Sequence, residues 1–215
     1  MLNTPNTFMQ KIYWLNQNKP IGELSNLQLQ KFCFFYEMFQ LIEDNKYDLS
    51  YLRAYANGPV YSNVYGDYTH RKEQFFFDVS SNSPNMDQLC DENLRKSLFL
   101  ITTLNNRELS DLTHNLDLWK SKKNRIRAGE QQIPIYERDI TDYDKSLLAS
   151  IRDGIDASDN YEVVPISDKR FVLDLESFSK LETKHYEVLE QLSQLDELDN
   201  PVYIEIDDRG TLLVD

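Results

Sequence analysis

The chain has 215 residues, with 36 acidic and 23 basic side chains and a formal net charge of −13. Hydrophobic residues make up 40% of it, and its 13 tyrosines and 11 phenylalanines far outnumber its 6 glycines and 7 prolines. That balance excludes a disordered or low-complexity chain, and the length allows one large domain, or a medium one with a small one beside it.

After Thr4-Pro5, Phe8, Ile12 and Leu15 recur at helical spacing and predict a first short helix. Ser25 followed three residues later by Gln28 forms a capping box, with Leu24 and Leu29 placed to close a hydrophobic staple. The helix it opens is expected to run to about Glu43. Phe32, Phe35, Phe39 and Ile42 form one stripe on it, and Phe34, Met38 and Leu41 a second. Apolar around more than half of its circumference, it is expected to be the central buried helix. Leu52, Ala54 and Ala56 then alternate up to a Gly58-Pro59 corner, predicting a short extended piece or an irregular turn. Pro59 is placed to open a helix with Val60, Val64 and Tyr68 on one face. Residues 78–88 read as a polar loop and residues 94–104 as a helix.

Asn105 with Glu108 is a second capping signal. It opens a helix predicted to carry Leu109, Leu112, Leu116 and Trp119 on one stripe. Past a polar loop around Gly129 and Pro134, Ile140, Tyr143, Leu147 and Ile151 mark another helix. The charge then changes: 20 of the acids but only 7 of the bases fall from Asp139 onward, leaving 16 of each before it. The stretch DGIDASDN reads as a linker. Beyond it, YEVVPI and RFVLDLESF predict two strands around a short turn, SKLETKHYEVLEQLSQL a helix, and PVYIEIDDRGTLLVD a hairpin turning at Asp207-Asp208-Arg209-Gly210. The expected fold class is α+β. A mainly helical domain around a central buried helix, residues 1–155, is followed by a small acidic α+β unit, residues 156–215, of four short strands and one helix.

Catalytic patterns are sparse. Ser110, His114 and Asp117 fall at i, i+4, i+7 on one predicted helix face, the cast of a nucleophilic relay. They lack a strained nucleophile elbow and an evident oxyanion hole, so a polar helix face is the preferred reading. HExxH and calcium-loop patterns are absent, and the paired acids in ITDYD and IEIDD have no histidine beside them. No six-residue window holds two glycines, as a phosphate-cradling loop needs. Cys33 lies inside the apolar KFCFFY and Cys90 far away, which favours neither a disulfide framework nor a cysteine metal site. No metal or cofactor is expected, and the chain is read as not an enzyme. The run from Lys120 to Arg127 reads as a solvated helix end rather than a phosphate contact. With the acidic second part repelling nucleic acid, direct DNA or RNA binding is not expected. No apolar stretch reaches the ~20 residues of a membrane span, so no membrane partner and a cytoplasmic location are expected.

The surplus is aromatic. Tyr51, Tyr55, Tyr61, Tyr65 and Tyr68 cluster around the Gly58-Pro59 corner, and tyrosine serves both cores and protein interfaces. Three blocks here together resemble the Panacea domain, the family that includes GepA-type phage-associated proteins and SocA-like antitoxins. Leu29, Gln30, Lys31, Phe32, Phe35 and Tyr36 match its first block. Ala54, Gly58, Pro59, Val60, Val64 and Tyr65 match the second, and Leu109, Ser110, Leu112, Thr113, His114 and Trp119 the third. The likeness covers residues 25–155 or so. It departs at Tyr55, where the family has tryptophan or another aromatic, at Asn57, where an aromatic precedes the glycine, and at Leu118, where proline is usual. The resemblance implies a helical, non-catalytic antitoxin or phage-borne neutraliser, acting by direct contact on a cognate toxin, a basic enzyme directed at RNA or nucleotides. The candidate partner-binding or motif residues are Tyr55, Asn57, Gly58, Pro59, Val60, Tyr61, Tyr65, Thr113, His114 and Trp119. The alternatives are an adaptor that delivers its partner to a protease, a Ser/His/Asp hydrolase and a DNA-binding regulator.

Overall fold

Helix α1 (Asn6–Asn18) packs Phe8, Ile12 and Leu15 inward as the spacing predicts, all three fully buried. The computed structural model describes residues 1–155 and 160–214. The predicted capping box opens α2 (Asn26–Ile42): Ser25 Oγ accepts from Gln28 N at 3.2 Å, and Gln28 Oε1 accepts from Ser25 N at 2.9 Å. Phe32, Phe34, Phe35 and Phe39 on α2 are all fully buried. Each such ring contributes roughly 1.5–3 kcal/mol, which makes α2 the axis of the larger core.

Around α2 run β1 (Leu52–Tyr55), β2 (Gly58–Tyr61), α3 (Ser62–His70), α4 (Lys72–Ser81), α5 (Asp91–Thr103), α6 (Asn106–His114), α7 (Asp117–Lys120), α8 (Lys123–Arg127), β3 (Ile133–Pro134) and α9 (Asp142–Asp153). The three strands form an antiparallel sheet in the order β2-β1-β3. Several expectations are corrected here. Gly58 to Tyr61 is a strand, so Val60 lies on β2 and the helix with Val64 and Tyr68 starts only at Ser62. Residues 78–81 complete α4 instead of opening a loop, because Phe75 and Val79 bury its inner face. Residues 133–134 add a short strand to the β1 edge, where Ile133 is fully buried.

The helix predicted through Trp119 breaks at Asn115–Leu116, even with Leu118 where proline would force a break. The cause is tertiary. The fully buried Asp144 accepts from Asp117 N at 2.6 Å and Leu118 N at 3.0 Å, capping a new helix, α7, while Thr141 and Asp144 also cap α9.

The second unit comprises β4 (Tyr161–Ile166), β5 (Lys169–Asp174), α10 (Leu175–Ser179), α11 (Thr183–Leu192), β6 (Val202–Ile206) and β7 (Leu212–Val214). Its sheet order is β4-β5-β6-β7, antiparallel except for the β5–β6 pair. The predicted hairpin and its turn are present, but LESF leaves the expected strand for α10, whose N-terminus Asp174 caps by accepting from Ser177 N at 2.6 Å. The unit therefore has two helices rather than one. Its separate core is Val164, Phe171, Leu173, Leu189, Val202, Ile204 and Ile206. Residues 156–159, the middle of the expected linker and the start of the assigned second domain, lie outside the described residues.

The units meet along α5 and the start of α6. Phe99 packs edge-on against Tyr161 with ring centroids 5.0 Å apart, and Asn200 Nδ2 donates to both carboxylate oxygens of Glu108 at 3.0 Å. The class is α+β, and no helix among the described residues is long and apolar enough to cross a membrane. Replacing Asp144 by Ala leaves the N–H groups of Asp117, Leu118 and Thr141 without their acceptor, while the bond from residue 144 N to Thr141 Oγ1 is kept. The expected loss is about 2 kcal/mol or more, read as a lower urea midpoint with an unchanged slope.

Candidate functional site

Strands β1 and β2 form a hairpin whose Tyr55 pairs with Gly58, leaving Ala56 and Asn57 as an exposed two-residue tip. Gly58 has φ +106°, a conformation side-chain-bearing residues rarely adopt. A Cβ there would fall on Lys31 Nζ and 2.6 Å from Thr113 Oγ1. Glycine is required twice over, once by torsion and once by space. Pro59 stands opposite Ala54 on the edge strand, where a missing N–H leaves no ladder bond unmade.

What crowds Gly58 is the centre of the site. Lys31, 1% exposed on α2, donates through Nζ to the Asn57 carbonyl at 3.0 Å and to Thr113 Oγ1 at 2.8 Å. Thr113 hands the chain on to the Leu109 and Ser110 carbonyls of α6, at 3.1 and 3.0 Å. Among the described residues no carboxylate pairs with the amine. Burial alone lowers its pKa from the usual 10.5 to about 7. One residue earlier, Gln30 Oε1 accepts from Tyr61 N at 2.9 Å, so α2 grips both ends of β2. Tyr61 is itself fully buried, packs on Phe8 at 4.5 Å, donates its hydroxyl to the Asp48 carbonyl at 3.0 Å, and has its pKa pushed well up by burial.

The third block closes over the same hairpin. Trp119 on α7 donates its indole N–H to the Tyr55 carbonyl at 2.9 Å. His114, the last residue of α6, stacks on the Trp119 ring at 3.7 Å and 23°. Burial, and after it the neighbouring Lys31 charge, lowers the His114 pKa, and its Nε2 is buried with no hydrogen-bond partner. The ring is thus held mainly neutral at pH 7.

Of the predicted site residues, Asn57, Gly58, Thr113, His114, Trp119 and Tyr55 meet in one network, while Pro59, Val60 and Tyr61 are buried strand residues that position it. Tyr65 lies on α3 with its ring 5.7 Å from that of Tyr55, both half-buried beside the hairpin. The Ser110–His114–Asp117 relay is not assembled. Asp117 lies on α7 and accepts from Thr141 Oγ1 at 3.0 Å, and the hydroxyl of Ser110 turns to the Asn57 carbonyl at 3.4 Å. The residues sequence reasoning missed as a site are Gln30 and Lys31. Two long polar side chains on a helix buried all round are the signal that could have found them.

Among the described residues no group of three or more His, Cys, Asp or Glu is placed to hold a metal ion. Comparison with family models, with curated proteins and with solved structures returned no match.

Gly58→Ala is expected to cost more than about 3 kcal/mol, since strain and overlap add, measured by urea unfolding. The Lys31 amine adds a pH signature. Between pH 7 and about 10 the unfolded chain holds a proton on Lys31 that the native protein has released, so stability rises with pH across that window. The difference in unfolding free energy between the wild type and Lys31→Met should therefore grow in the wild type's favour from pH 7 to 9.5. Parallel curves would show that the amine is not desolvated.

Proposed function

We propose that the protein is a non-catalytic neutraliser of the antitoxin type, folding by itself and covering the working surface of a cognate protein. The observation that carries the reading is the convergence on one hairpin of all three blocks that resemble the Panacea domain. Lys31 comes from the first, Gly58 from the second, Thr113, His114 and Trp119 from the third. Three polar groups of that cluster are used in holding the chain: the amine, the threonine hydroxyl and the indole N–H each bond the protein itself. What the hairpin turns outward is its tip, Ala56 and Asn57, with Tyr51 (45% exposed) and the half-buried pair Tyr55 and Tyr65 beside it. Tyrosines on a rigid mount offer contact area at little entropic cost. The acidic second unit favours a basic partner and speeds encounter with it.

The reading frame beside this one is where a partner of that kind would be encoded. Co-expressed with it, the chain should relieve growth arrest and co-purify in fixed stoichiometry. Raising salt to ~0.5 M should slow association by tenfold or more through screening. Tyr55→Ala with Tyr65→Ala should weaken the complex at nearly unchanged thermal stability. Rescue that requires a host protease would indicate an adaptor, and turnover lost in His114→Ala would indicate an enzyme.

A further inference from the structure

The two sheets have four edge strands, and three of them carry a proline: Pro59 on β2, Pro134 on β3 and Pro165 on β4. Proline on an edge removes a donor and blocks pairing with another chain. The fourth edge, β7, reads Leu212-Leu213-Val214, with no proline and no charge. It is the one edge among the described strands left unguarded.

Its backbone is free to pair. Asp207 N donates to the Thr211 carbonyl at 3.1 Å, and β7 continues in register with Ile206↔Leu212, Glu205↔Leu213 and Ile204↔Val214. Antiparallel pairs alternate between bonded and non-bonded. Leu213 therefore faces its β6 partner, while the N–H and C=O groups of Leu212 and Val214 turn to the open side, with no partner among the described residues. Beside this edge a cleft of about 520 Å³ runs between α5 and the outer sheet face, with Phe99, Tyr161, Tyr203 and Leu213 among its apolar lining. Tyr203, Leu213 and Val214 are 46%, 49% and 44% exposed. Two carboxylates, those of Asp174 and Glu205, share the lining, and the Glu205 carboxylate has no ion-pair or hydrogen-bond partner among the described residues. The surrounding unit is acidic, with thirteen acids and five bases over residues 160–214.

We infer that β7 is a docking edge for an extended, basic segment of a partner protein, which adds a fifth strand to this sheet. Main-chain bonds to Leu212 and Val214 hold the segment, alternate apolar side chains continue the sheet face of Leu212 and Val214, and the lysines or arginines between them share the opposite face with Leu213 and Glu205. A second copy of this chain is the poorer occupant, because each copy carries −13 and would bring acid against acid. The inference rests on the neutraliser reading and names where part of its contact falls.

The full-length chain is titrated with a fluorescein-labelled peptide of about ten residues alternating valine and lysine, followed by anisotropy. Three comparisons accompany it: a valine–glutamate peptide, the basic peptide N-methylated at alternate amides, and the basic peptide on Val214→Pro, which removes an outward donor without touching the β6 ladder. The basic peptide should bind saturably, and each comparison should weaken binding about tenfold or more. Glu205→Lys should reverse the preference between the two charges. Equal binding of the N-methylated peptide would overturn strand addition whether or not Val214→Pro folds, and so would absence of saturable binding. Sedimentation of a dimer that Val214→Pro dissociates would assign the edge to a second copy instead. If the peptides fail while the neighbouring gene product still forms its complex, this edge alone is refuted; if they bind and that complex does not form, the neutraliser reading is.

Discussion

A single buried amine organises the helical domain. Among the described residues Lys31 has no carboxylate to offset its removal from water, and its compensation there is two oxygens, one on the hairpin tip and one on α6. That arrangement is costly and therefore selective: an unpaired buried amine has no tolerable alternative geometry. The hairpin must present the Asn57 carbonyl, which needs the positive φ at Gly58, and α6 must present a hydroxyl at position 113. The three blocks are thus coupled by one atom.

Other buried polar groups follow the same logic with better compensation. Lys11 on α1 pairs with Glu37 on α2 and lies over the Phe8 and Tyr36 rings. Asp67 on α3 accepts from Asn3 N, Thr4 N and Thr4 Oγ1 at 2.7–2.8 Å and so ties residues 3 and 4 to that helix. Arg152 on α9 bridges Glu43 and Glu92 and bonds Asn93 at 2.8 Å. Each links elements distant in the chain. Together they make a stiff mount, with Tyr51, Tyr55 and Tyr65 outside it and the second unit fastened to α5 through Tyr161 and to α6 through Asn200.

Legibility in the sequence followed the range of the interaction. Capping boxes at Ser25, Asn105 and Thr141 depend on residues three apart, and the two that the sequence signalled, at Ser25 and Asn105, are both present. The phenylalanine stripes of α2 were equally plain, because a helix buried on all sides has to be apolar on all sides. Pro59 misled: its fixed φ suits a helix start and an edge strand alike, and only pairing with Ala54 decides between them. The extension of one predicted helix through Trp119 failed for a similar reason, since Asp144, 27 residues beyond Asp117, supplies the cap that restarts the chain there.

By itself the sequence determined the α+β class, the central aromatic helix, the acidic second half and the terminal hairpin, all of them set by local periodicity, capping and composition. Tertiary structure alone decided that Asn57, Gly58 and Thr113 meet on Lys31 while Trp119 closes on Tyr55 of the same hairpin, that Ser110, His114 and Asp117 part, and that β7 is left as an open edge. Those outcomes depend on which distant atoms become neighbours once the backbone closes, and on the cost of leaving a polar group dry without a partner, neither of which any short window of residues records.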